Sequence, residues 1–498
     1  MRGKWVCLGV LCLLLAGCDG APPVAPATTV VESVAPVAQS DVREITILYT
    51  NDEHGWMEGM EPGEGAANLL TLWQEQEGYM PDGPFLVLSG GDMWTGPAIS
   101  TWFQGASMAE VMDAMPYAAA AVGNHEFDFG LEALRKRAEA SRYPFLSANM
   151  RDKSTGQTPT DLGIQPFTLV TVNGIRVGII GLTTTSTPVT TNPVNVSRFT
   201  FEDYEPTLRA VVPQARAAGA EMIVVPAHIC QDEMESLARR VGDLGIAMIG
   251  GGHCNELFAK EINGIVLLEG GYHLTGYARA TFQFDTATDE VVSSTFGVGR
   301  NRGAAAEPTV QAIVAQWREE ADAELNQTIG YSVNGIARRG TLMESLITET
   351  WLWGYPTADV AFTNRGGIRA GISPGDLTLA DIIGVLPFDN VLVDLQLSGS
   401  QIMQLLSRSQ LAFGGLRRQG TGWVVAKTGE RLDPAATYSV LVTDFLYAGG
   451  DGLTMLAQFD PDGYNTAIDW RQPIIDWVMA QDSTSARPID EAVVELGQ

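Results

Sequence analysis

Between residues 44 and 270, short runs of continuously apolar or β-branched residues alternate with longer amphipathic stretches, and no other feature constrains the fold as much. The runs are EITILYT, FLVLSG, YAAAAVG, RVGIIGL, EMIVVPA, AMIGG and GIVLLEG, with helical patterns near 64–78, 131–141, 203–219 and 231–242. A strand with no polar face has to be covered on both sides, so the pattern predicts a layered α/β domain over 44–300. A chain of 498 residues exceeds one ordinary core. The polar, helix-favouring segment 301–326 reads as a linker helix, followed by a second α/β domain over 327–498. There ADVAFTN, NVLVDLQLS and TYSVLVTDFL read as strands, TLMESLITETWLWG and GSQIMQLLSRSQ as helices, and Trp351 and Trp353 as helix core. No fixed-period repeat or heptad pattern is present.

The amino terminus has a separate logic. Arg2 and Lys4 precede an apolar segment too short to span a membrane, which reads as a secretory signal over 1–17. Residues 18–43, rich in Pro, Ala, Val and Thr, read as a flexible tether. The formal net charge of −28 argues against a nucleic-acid polymer as partner, because backbone binding needs clustered positive charge. An anionic substrate would then have to meet a locally positive site, which bound cations can supply.

Polar clusters follow the strands of the first domain: NDEHG (51–55), GD (91–92), GNHEFD (123–128), His228, and GHCN (252–255). Ligands gather beyond the carboxyl ends of strands in open α/β sheets, so four of the five histidines converge on one edge. Carboxylates, imidazoles and an amide oxygen without a thiolate cage suit divalent cations. Asp92 is the candidate bridge between two metals about 3.5–4 Å apart. Taken singly, each cluster also reads as a polar turn or a hydrogen-bonded core histidine.

In this order the clusters resemble the calcineurin-like metallophosphoesterases. With the second domain they resemble the bacterial 5'-nucleotidase and UDP-sugar hydrolase branch, related to the animal ecto-5'-nucleotidases. The resemblance implies an α/β fold in which a metallophosphoesterase β-sandwich flanked by helices precedes a 5'-nucleotidase substrate-binding domain. It implies two divalent metal ions, zinc, manganese or similar. Asp52 and His54 would hold the first, Asp92 would bridge, and Asn124, His228 and His253 would hold the second. His125 and Asp128 would be the catalytic pair. Such enzymes usually show GHSH or GHSQ where this chain has GHCN, so the last ligand of the first metal falls on Asn255, whose shorter side chain is expected to hold that metal more weakly. Cys230 and Cys254 follow His228 and His253 closely, and two readings stay open: a disulfide bracing both loops, or two buried free thiols. The sequence LAGC at 15–18 resembles a bacterial lipobox, which implies cleavage before Cys18, lipid on Cys18 and an exported protein on the periplasmic or cell-surface face of a bacterial membrane. Asp19 resembles an inner-membrane retention signal.

In the second domain TNRGGIRAG, LPFDN and DFLYAGGDG resemble the family's nucleotide pocket. By that likeness Asn364, beside the glycine turn, binds substrate, Arg369 contacts phosphate, Phe388 and Phe445 sandwich the base, Asn390 reads its edge and Asp451 holds the ribose hydroxyls. Arg338, or its neighbour Arg339, matches a further phosphate-binding arginine. The expected activity is hydrolysis of nucleoside 5'-monophosphates, with UDP-sugars as a second class, by an activated water attacking phosphorus in line. The rivals are a dimetal hydrolase of 2',3'-cyclic nucleotides or thiosulfate conjugates, and a tethered nucleotide-binding protein with a degenerate metal site. The oligomeric state is left open.

Overall fold

The computed structural model describes residues 41–496. The expected signal peptide, the lipid-bearing Cys18 and the tether up to residue 40 lie outside the described residues. The first strand, Val42–Thr50, begins two residues before the expected Glu44. Arg43 therefore belongs to this strand and not to the tether, and it donates from Nη1 to the Asn173 carbonyl at 3.0 Å.

Two sheets form the first half. The seven-stranded sheet is ordered Glu290–Arg300, Gly276–Asp285, Val42–Thr50, Phe85–Ser89, Ala119–Ala121, Phe145–Leu146, Ile164–Gln165. The six-stranded sheet is ordered Leu257–Ile262, Ile265–Gly270, Ile246–Gly250, Met222–Pro226, Ile175–Ile180, Phe167–Val172. The period-two geometry of a strand explains how they stack. Ile45, Ile47, Tyr49, Leu86 and Leu88 share one buried cluster with Val177, Ile179, Met222, Val224 and Met248 of the other sheet. The alternate residues point away: Leu48, Val87 and Ala120 into one outer layer, Ile223, Val225, Ile249 and Leu267 into the other, beneath helices Tyr204–Ala217 and Gln231–Arg240. With both faces covered, these strands have no polar face to show, hence their unbroken apolar runs.

The antiparallel pair Gly276–Asp285 and Glu290–Arg300 adds to the strands expected from the sequence. Glu290–Arg300 is an edge strand with most side chains exposed, so it lacks an apolar run. The expected linker helix forms over Pro308–Leu325, with Pro308 in its first turn and Glu307 capping the Val310 amide at 2.8 Å. It is no free spacer, because Val310, Val314 and Ala321 join the core of the first half.

In the second half a five-stranded sheet is ordered Leu411–Gly414, Val360–Asn364, Thr437–Thr443, Val391–Ser398, Tyr464–Asp469. Ala361, Leu392 and Leu441 pack on Trp351 and Trp470, while Val360, Val393, Leu395 and Val440 cover Ile402 and Leu405. Trp351 is fully buried, but Trp353 is 48% exposed and is not core. Two positions apart on a helix point to nearly opposite sides, so both rings could not face one core. Among the described residues no helix is long and apolar enough to cross a membrane.

Candidate metal centre and adjoining cavity

The loops that follow the strands of the first half are held in an unusual backbone state. Asp52, His54, Asp92, His253 and Asn255 all have positive φ, at 51°, 47°, 59°, 73° and 62°. Each such non-glycine residue costs on the order of 1–3 kcal/mol and persists only where its surroundings over-determine it. Here the loops lock one another. The Asp52 amide donates to the Gly91 carbonyl and the His54 amide to the Asp92 carbonyl, both at 2.9 Å. Two buried acids that the sequence reading passes over complete the lock. Glu126 accepts the backbone amides of Asp92, Met93 and Gly123 at 3.0, 2.8 and 2.6 Å. Glu53 accepts the hydroxyls of Thr50 and Ser89 at 2.5 and 3.0 Å. Burial raises the Glu53 pKa to about 8 and the Glu126 pKa to about 7. At Gly123 a Cβ would collide with the Asp92 carboxylate, so only glycine fits there.

The imidazoles are oriented for coordination. His54 and His228 point Nδ1 at the carbonyls of Thr95 and Gly90, each at 2.9 Å. A carbonyl can only accept, so Nδ1 carries the proton and Nε2 is left as the ligand atom. For His54 that atom lies 3.8 Å from Asp52 and 3.9 Å from Asp92; for His228 it lies 2.9 Å from Asp92 and 3.2 Å from the Asn124 amide oxygen. Among the described residues two groups have ligand atoms within 4.8 Å of one another: His54, Asp92 and His125, and Asp92, His228 and His253. Asp92 belongs to both. Burial pushes His54 well below its usual value and His253 down to about 4, keeping both neutral. Burial would also lower His228, but Asp92 outweighs it and carries it to about 10; the carboxylate that draws a proton to Nε2 would draw a cation there. The donor set and its tautomers fit divalent metal ions.

His125 differs from the other imidazoles in its contacts. Its Nδ1 faces Asp128 Oδ2 at 2.7 Å while Nε2 lies 4.0 Å from Asp92. Burial lowers its pKa, yet Asp128 and Asp92 more than offset that and raise it. A histidine biased toward its protonated form suits a proton donor better than a ligand.

A cavity of about 530 Å³ opens over this cluster and is closed by the second half. Asp52, His54, Asp92, Asn124, His253 and Asn255 line it from one side together with His125 and Asp128; Asn364, Arg369, Phe388, Asn390, Phe445 and Asp451 line it from the other. His228 is fully buried beneath the wall. Arg369 donates from Nη2 to His54 Nε2 at 3.1 Å, and its guanidinium lies 5.9 Å from the Phe388 ring centre. Phe388 stacks on His125 at 5.6 Å, and its carbonyl accepts the Trp470 indole N–H at 2.8 Å. Phe445 sits on the short helix Asp444–Tyr447 and not on the preceding strand, so its ring turns into the cavity. A Cβ at Gly450 would collide with that ring. Asp451 has φ 51°, and burial raises its pKa.

Arg338 lies outside this cavity. It lines an adjoining recess of about 400 Å³ with Arg339, Trp56 and His273, and its Nε donates to the Ile368 carbonyl at 2.8 Å. The two spaces share His54, Asn255 and Arg369. His273, the fifth histidine, stacks on Trp56 at 4.9 Å and meets His54 edge-on at 5.7 Å. The signal that could have found it is the one that found the others, since His273 follows the strand Ile265–Gly270. Cys230 and Cys254 form a disulfide with Cα atoms 5.2 Å apart, which decides between crosslink and free thiols. It ties the loop after His228 to the loop carrying His253.

Residues 323–458 match the family model for the 5'-nucleotidase C-terminal domain. Protein UshA of Salmonella pullorum is 28% identical over 479 residues, covering 82% of this chain and 86% of the relative. A 5'-nucleotidase of Vibrio cholerae is 27% identical over 506 residues, covering 88% of this chain and 90% of that one. Among solved structures, a 5'-nucleotidase precursor from Thermus thermophilus superposes with a TM-score of 0.75 at 26% identity, over 89% of this chain and 97% of its own. The similarity runs through both halves and not the matched domain alone, and the chain is a hydrolase of the 5'-nucleotidase type.

Proposed function

We propose that the protein hydrolyses nucleoside 5'-monophosphates to nucleoside and phosphate outside the cytoplasm, held to a membrane by lipid on Cys18. One observation supports this most: a single cavity joins the Asp92-centred cluster to a pair of aromatic rings and a buried aspartate. Asp52, His54, Asp92 and Asn255 would hold one divalent cation, and Asp92, Asn124, His228 and His253 the other. When bound, such cations supply water activation and charge neutralisation at phosphorus.

The remaining steps fall to the chain's own side chains. Phe388 and Phe445 take the base between their faces, Asn390 offers its amide to the base edge and Asp451 accepts from the ribose hydroxyls. Arg369 neutralises charge developing on the equatorial phosphoryl oxygens, assisted by Asn364 on the same wall. His125 presents Nε2–H to the charge developing on the phosphoryl group while Asp128 holds Nδ1–H and so fixes which nitrogen donates. Phe388, stacked on His125, keeps bulk water from that proton. The adjoining recess with Arg338 and the Trp56–His273 stack favours UDP-sugars as a second substrate class, with their distal part beyond the attacked phosphorus.

Phosphate release from AMP with manganese or zinc is the test. Purified enzyme should turn over, and His125→Ala should lose about a hundredfold or more in kcat, the scale of a missing transition-state donor. Cation binding without phosphate release would leave the nucleotide-binding reading standing instead.

A further inference from the structure

One segment of the first half touches the catalytic pair and the nucleotide side at once. After the strand Ile175–Ile180 the chain makes two single helical turns, Thr187–Thr190 and Pro193–Val196, separated by Thr191 and Asn192. Three residues tie this strap to the 124–128 turn. The Thr190 carbonyl accepts the Asn124 side-chain amide at 3.0 Å, Thr191 Oγ1 donates to Asp128 Oδ1 at 2.9 Å, and Asn195 Nδ2 donates to the Phe127 carbonyl at 2.8 Å. On its other side Asn192 Nδ2 reaches Asp444 Oδ2 at 3.4 Å, and Asp444 Oδ1 accepts the Val391 amide at 3.1 Å. Thr191, Asn192 and Asn195 line the cavity.

Both oxygens of Asp128 are therefore occupied: Oδ2 by His125 Nδ1 and Oδ1 by Thr191. A carboxylate held on one oxygen can turn about its Cβ–Cγ bond, and the imidazole bound to it turns too. Held on both, its plane is set. Thr191 suits the task because its β-branched side chain is stiff and it is only 2% exposed, so little competes for its hydroxyl. A neutral donor to an ionised acceptor also makes one of the stronger hydrogen bonds.

We propose that Thr191 is a positioning residue for the hydrolytic reaction: its hydroxyl fixes the Asp128 carboxylate, and through it the direction in which His125 presents Nε2 to the phosphoryl group. The inference rests on the proposed hydrolysis but uses no property of the base. It separates Thr191 from residues that merely shape the cavity, because the effect passes through the hydroxyl and not through volume.

The experiment compares Thr191→Val, which keeps the shape, with Thr191→Ser, which keeps the hydroxyl, on AMP and on p-nitrophenyl phosphate, alongside manganese titration by calorimetry. Thr191→Val should lower kcat about 10- to 100-fold, the cost of removing a supporting partner of an active group. Its KM and manganese affinity should stay within about threefold of wild type, and Thr191→Ser should keep kcat within about threefold, as a role confined to the hydroxyl requires. A Thr191→Val enzyme at wild-type rate, a Thr191→Ser enzyme impaired as deeply as Thr191→Val, or manganese affinity falling in step with kcat would overturn it. A wild-type enzyme active only on p-nitrophenyl phosphate would refute the nucleotide reading while the Thr191 comparison stayed readable.

Discussion

The two walls of the cavity are built on opposite plans. On the Asp92 side, expected ligands sit in left-handed backbone and are fastened by carbonyls, amides and the carboxylates of Glu53 and Glu126. On the Phe388 side an expected recognition group carries spare capacity: Asn364 Oδ1 is buried with no hydrogen-bond partner among the described residues. The difference teaches where preorganisation is needed. Chemistry at phosphorus tolerates little displacement of charge, so its geometry is set before substrate arrives. Base recognition by stacking tolerates more, because any aromatic face serves any base.

The contrast can be broken at its strongest point first. Asp92→Asn removes the carboxylate common to both ligand groups, and kcat should fall about a thousandfold or more, the upper end for loss of a single charge-stabilising group; calorimetry should show manganese binding lost with it. An active Asp92→Asn enzyme would mean that the first wall is not the seat of catalysis. Next, Phe445→Ala should raise KM for AMP about tenfold, from about 1–3 kcal/mol of stacking per ring, with little change in turnover of p-nitrophenyl phosphate. Equal losses on both substrates would erase the division of labour. The gentlest probe is pH. His228, raised to about 10 by Asp92, and Asp52, raised to about 6 by burial, must both shed a proton before they can ligate. Manganese affinity should therefore climb between pH 6 and 9, by at most about tenfold per unit for each proton released. Affinity flat across that range would show that protons do not compete with cations on this wall.

The first wall is readable in the sequence because its residues stand at the ends of apolar strands: the run ITILYT announces where NDEHG will sit, and AAAAV does the same for GNHEFD. The pocket of the second half is legible through its glycine-rich motifs, though the pattern puts Phe445 on a strand and it lies on the turn of helix beyond. Other features leave no local trace. Thr191 lies in a run of Thr, Asn and Pro that reads as loop, and its partner Asp128 is 63 positions away. Glu53 and Glu126 look like surface acids until the fold buries them. The exposed edge strand Glu290–Arg300 carries too few apolar residues to announce itself, and Trp353 misleads because an apolar residue on a helix need not be a buried one.

The Cys230–Cys254 crosslink bears on where this protein can mature. Its two half-cystines follow His228 and His253 closely, so oxidation latches together the loops that carry these two imidazoles. Thiols in a glutathione-buffered cytosol stay reduced, and a chain retained there would keep the same imidazoles on unlatched loops. The proposed export would thus do more than deliver the folded chain: it would let the crosslink between these two loops form.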